Sequence, residues 1–126
     1  VVLLVVLVSI CLLNNNITNN IMLRTLSKKT LLSSVTTTGA GSPFSVERSK
    51  GWTFVIASSS VTTGGTVDIE AYIGGAWYVI HSEDVTANGA IMVRDDHGHY
   101  EQIRGNVSAR TDGTYSVFAT GTTDSL

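Results

Sequence analysis

The residues best suited to chemistry lie in three short stretches. Asp95-Asp-His-Gly-His99 gathers two carboxylates and two imidazoles. On an extended chain His97 and His99 face one side, and Asp95 and Asp96 could complete a metal site. The competing reading is a solvated turn between strands, where Asp, His and Gly are favoured. The spacing matches no defined zinc or calcium motif, so no metal is assigned. Asp68 and Glu70 make a second pair of carboxylates, Glu83 and Asp84 a third. A glycosidase needs two carboxyls across a cleft, about 5 to 9.5 Å apart, with one raised in pKa by its setting. Asp68 and Glu70 sit two apart on one strand face and read as solvated neighbours. His81 adjoins Ser82 and Glu83, but adjacency is not a triad, and no Gly-x-Ser-x-Gly elbow occurs. A hydrolase reading rests on these scattered carboxylates and histidines alone, and no catalysis and no cofactor are expected.

Trp52, Tyr72, Trp77 and Tyr78 would make a sugar-stacking platform if several faced outward together. Aromatics on strands otherwise serve as core or cross-strand packing. Trp77 and Tyr78 are consecutive, so one points in and the other out. The candidate surface-contact residues are Trp77, Tyr78, Tyr72, Asp68 and Glu70. Gly39-Ala40-Gly41 lacks the helix and Lys of a phosphate loop.

The elements that must position these residues are strands. Val67, Ile69, Ala71 and Ile73 alternate with Asp68, Glu70 and Tyr72, the pattern of a half-buried strand. Gly74-Gly75 supplies a tight turn, and Ala76 to His81 returns. Lys28 to Thr38 reads as a first strand kinked near Ser33-Ser34, and Phe44 to Glu47 as a short one. Trp52 to Ser58 is continuously apolar and reads as a central strand covered on both faces. Residues 83–89 read as a loop, Ala90 to Arg94 as a strand, and 95–99 as a polar turn. Tyr100 to Arg110 forms a long strand, with a bulge near its start turning Tyr100 inward. After the turn at Thr111-Asp-Gly-Thr114, Tyr115 to Thr120 closes the domain and residues 121–126 fray. About seven or eight short strands without a body helix imply an all-β antiparallel β-sandwich, Ig-like or jelly-roll, with a small barrel as runner-up.

The 126 residues fit one domain able to bury a modest core. Charged residues make up 14% and net charge is −2, with Lys and Arg scattered, which argues against nucleic acid as a partner. The single cysteine, Cys11, leaves the body without a disulfide or a thiolate metal site. It lies in the apolar run Val1 to Leu13, which is shorter than the ~20 residues of a membrane span. An Asn- and Ile-rich tract leads from there to Met22. Residues 1–21 read as translated upstream sequence, or else as a truncated signal or anchor, and 22–126 as the domain. No membrane association is expected unless that leader is genuine.

Two halves of the body carry a resemblance. Thr66-Val-Asp-Ile-Glu-Ala-Tyr-Ile73, a Gly turn and Ala76-Trp-Tyr-Val-Ile80 form one. Gln102-Ile-Arg-Gly-Asn-Val-Ser-Ala109, an Asp-Gly turn and Thr114-Tyr-Ser-Val-Phe-Ala119 form the other. Together, over roughly residues 28–120, the pattern resembles small β-sandwich virion proteins of tailed bacteriophages: head-decoration, head-fibre or tail-associated components. His81 and the segment from Asp95 to His99 have no counterpart in it. The resemblance implies a non-enzymatic structural role through contacts with other virion proteins and homo-oligomerisation. It also implies synthesis in the bacterial host cytoplasm and residence in the virion. The alternative is a carbohydrate-binding or adhesin-like module that binds surface glycans, secreted or at a cell or virion surface.

Overall fold

A computed structural model describes residues 24–124. The expectations for the leader, residues 1–21, lie outside them. Nine strands are present among the described residues: β1 (Arg24–Val35), β2 (Gly39–Ala40), β3 (Phe44–Ser45), β4 (Ser49–Ser59), β5 (Gly65–Ile73), β6 (Ala76–Val85), β7 (Gly89–His99), β8 (Gln102–Arg110) and β9 (Thr114–Asp124). They form two antiparallel sheets, β1-β9-β4-β7 and β2-β8-β5-β6, with β3 also on β8. The fold is an all-β sandwich. Its pairings nest: β5 with β6, β4 with β7, β2 and β3 with β8, β1 with β9. That is one long hairpin rolled up until β4 also meets β9 and β5 also meets β8.

The tip of the rolled hairpin is Gly74-Gly75, with φ of 59° and 93°. Two consecutive positive φ values suit a two-residue hairpin turn, and glycine adopts them without a Cβ penalty. The two sheets meet through the residues that alternate inward. Val67, Ile69 and Ala71 of β5 and Ile103 and Val107 of β8 face Trp52, Phe54 and Ile56 of β4 and Tyr115, Val117 and Ala119 of β9. Period-2 burial such as this is what a two-sheet core requires.

Several expected boundaries move, for one shared reason: sequence shows a strand's propensity but not its partner. Glu83 belongs to β6, paired with Val67 rather than in a loop. Asp95 to His99 is not a turn, because it continues β7 alongside Trp52 and Lys50. Residues 121–124 do not fray; β1 begins at Arg24, earlier than expected, and pairs with them. Tyr100 packs against the core from the connection between β7 and β8 rather than from within a strand. β4 is central, between β9 and β7, but only its Trp52-Phe54-Ile56 face is sealed; Thr53, Val55 and Ala57 are half-buried. The expected kink in β1 is present, with Ser34 at φ 48° and a register shift between Leu32 and Val35.

Candidate functional site

Three strands, β8, β5 and β6, present one continuous outer face. Their register sets it out in rows: Gln102–Tyr72–Trp77, Arg104–Glu70–Val79, Asn106–Asp68–Ser82, and Thr66 beside Asp84. A bulge in β6 between Val79 and His81 shifts the alternation, which brings Ser82 and Asp84 to this face. It also carries His81 and Glu83 to the opposite side.

Asp68 and Glu70 are not the solvated pair that alternation alone implies. They are 7% and 8% exposed. Their cover comes from residues distant in sequence. Arg104 Nε–H donates to Glu70 Oε1 at 2.7 Å, and Asn106 Nδ2 donates to Glu70 Oε2 at 3.1 Å. Ser82 Oγ donates to Asp68 Oδ1 at 2.5 Å. The Arg104 guanidinium lies 4.1 Å from the Trp77 ring centroid, a cation–π distance, and Trp77 tilts against Tyr72 at 5.3 Å. A carboxylate taken so far out of water needs such partners, and a charge-assisted bond supplies them best. Val79 and Tyr78 remain 53% and 57% exposed on β6, the sheet edge.

The other candidates do not converge. Asp95 accepts a short hydrogen bond from Tyr100 Oη; burial and this carboxylate push the Tyr100 phenol up. Asp96 pairs with Arg94 at 3.3 Å in solvent, and His99 Nε2 is 2.8 Å from the carbonyl of Glu47. The side chain of His97 lies outside the described residues. Among the described residues no group of three or more His, Cys, Asp and Glu could hold a metal ion. His81 Nε2 and Glu83 Oε2 meet at 3.0 Å, while Asp84 instead accepts from Thr66 Oγ1 at 2.9 Å. Glu83 and Asp84 thus point to opposite sides of β6.

Sequence reasoning missed Arg104, Asn106 and Ser82 as members of this face, and it missed Asp112 altogether. The Asp112 carboxylate accepts backbone N–H bonds from Thr62, Thr63 and Gly64, at 3.1, 3.0 and 2.8 Å. Those bonds hold its pKa below the usual carboxylate range. Asp112 thereby ties the β4–β5 loop to the β8–β9 turn, and Tyr115 Oη donates to its carbonyl at 2.6 Å.

No protein-family model matches the chain, and no curated protein matches it. Among solved structures the chain is similar to the SPBc2 prophage-derived protein YomS, at 14% identity and TM-score 0.62, over 79% of this chain and 95% of that one. It also aligns with the PRD1 vertex protein P5, at 11% identity and TM-score 0.38, over 81% and 96% of the two chains. A third alignment is to a chain from Bacillus endospore appendages, described as disulfide-linked pili, at 16% identity and TM-score 0.34, over 81% and 91%. At these identities the likeness to YomS is one of fold.

Proposed function

We propose that this chain is a non-enzymatic structural protein of a phage virion, working through contacts with other virion proteins and with copies of itself. The observation that carries the reading is the outer face of the sheet β1-β9-β4-β7. There Phe118, Val55 and Met92 stand side by side across three strands. Phe118 is 45% and Met92 67% exposed, and Leu26 on β1 adds a further apolar side chain at 61%. Single exposed apolar residues are ordinary, but a row in register marks a contact surface. The row suits a second copy, because a two-fold axis parallel to the strands sets Met92 of one copy over Phe118 of the other, a favourable sulfur–aromatic contact.

Two further observations support the reading. The nested strand order favours a jelly roll over the immunoglobulin sandwich, whose sheets divide as ABED and CFG. The likeness to the prophage-derived YomS spans nearly all of that chain. The location is accordingly the virion, after synthesis in the bacterial host.

Sedimentation velocity tests the contact surface. The wild-type chain is expected to assemble with rising concentration, and Met92→Glu combined with Phe118→Glu to remain monomeric with an unchanged melting temperature. A wild-type chain monomeric at every concentration would contradict self-assembly through this face.

A further inference from the structure

The opposite outer face, on β8-β5-β6, carries a second and different surface. Both its hydrogen-bonding heads are fixed in place yet incompletely used. Arg104 is clamped at Nε by Glu70 and braced against Trp77, while its two terminal nitrogens have no hydrogen-bond partner among the described residues. Asp68 is 7% exposed and, among the described residues, bonded through Oδ1 only; its Oδ2 has no partner among them, yet it is not sealed from solvent. A nearly buried carboxylate with one oxygen left open faces the same way as a guanidinium with an open fork. Beside them stand the indole of Trp77 and the exposed side chain of Val79.

We propose that this face is a binding site for a neutral glycan. The chemistry selects that class. A sugar ring offers an apolar C–H face, which packs on the exposed Val79 and on the part of the half-buried indole that Arg104 leaves uncovered, and hydroxyls that donate and accept together. Its hydroxyl hydrogens go to Asp68 Oδ2 and its oxygens to the Arg104 terminal N–H groups. Acidic ligands are disfavoured: the rows hold three carboxylates, Asp68, Glu70 and Asp84, against one guanidinium, already neutralised by Glu70. The polar heads are preorganised by the fold, which limits the entropy lost on binding. The proposal does not depend on the structural role above, since it concerns the other sheet.

The test is titration of the full isotope-labelled chain, followed through the two indole N–H resonances. The probes are a panel of neutral oligosaccharides: α- and β-linked glucans, mannans, galactans and chitin oligomers. A heparin hexasaccharide and hexalysine serve as charged controls. At least one neutral probe is expected to shift the Trp77 resonance saturably and leave that of the buried Trp52 in place. Asp68→Asn, which keeps the side-chain shape, and Arg104→Lys, which keeps the charge, should each weaken binding at least tenfold. Val79→Glu, at an exposed position where folding is not at stake, should weaken it similarly. Silence across the whole neutral panel would overturn the proposal. So would tighter binding of heparin or hexalysine than of every sugar, or an unchanged shift in all three variants.

Discussion

At the scale of single residues, two positions far from either face govern how the sandwich closes. Asp112 holds three backbone N–H groups of the β4–β5 loop with one carboxylate. Because those bonds favour the ionised form, its folded pKa is depressed. The stabilisation is therefore present above the unfolded carboxylate pKa of about 3.9 and is lost as pH falls through the lower folded value. Asp112→Asn is expected to lower the melting temperature at neutral pH, and thermal melts of the two proteins should converge as the pH is taken well below about 3.9. Curves that stay parallel down to acid pH would contradict the role given to the carboxylate. Gly121 works by close approach instead. A Cβ placed there would stand 2.8 Å from the Trp52 ring, which is itself fully buried. Neither side can yield cheaply, so Gly121→Ala is expected to destabilise by about 1–3 kcal/mol, measured by urea unfolding. Trp52 Nε1 is buried without a partner among the described residues, so it is the packing of the ring that holds Trp52 in place.

The element that organises the outer site is the central strand β5, which receives a polar partner from each side. Its energetic centre is Glu70 with Arg104, side chains 10% and 25% exposed. A hydrogen bond to a charged group is worth about 1.5–3 kcal/mol when little water competes. A double-mutant cycle with Glu70→Gln and Arg104→Met should return a coupling of about 1–2 kcal/mol, lowered by the partial exposure of the pair. Additive single effects would mean that the two side chains do not stabilise one another. Much of this strand was legible from sequence. Val67, Ile69 and Ala71 alternate with Asp68 and Glu70, and the Gly74-Gly75 turn fixes β6 beside β5. The alternation in β8 likewise puts Arg104 and Asn106 on one face. What propensity could not show is that β8 lies on the other flank of β5, in the register that sets Arg104 against Glu70. Without that pairing the carboxylates look exposed. With it they are buried and bridged. The β6 bulge is equally silent in sequence, yet it sorts Ser82 and Asp84 from His81 and Glu83. The cluster Asp95, Asp96 and His99 shows the converse: close in sequence, its members turn to Tyr100, Arg94 and the Glu47 carbonyl.

For the whole molecule, a long hairpin rolled into two sheets leaves two outer faces of different chemistry. One bears the apolar row Phe118–Val55–Met92; the other bears the clamped Arg104 and Asp68. Among the described residues the candidate carboxylates and histidines are distributed over separate strands and sides. The role proposed for the molecule is contact with other components of a virus particle. Mass spectrometry of particles purified from the phage or induced host that carries this reading frame decides whether it has that role. Peptides from residues 24–124 are expected in the purified particles, at a copy number comparable to known structural components. Their absence from particles, while the chain is present in the producing cells, would contradict it.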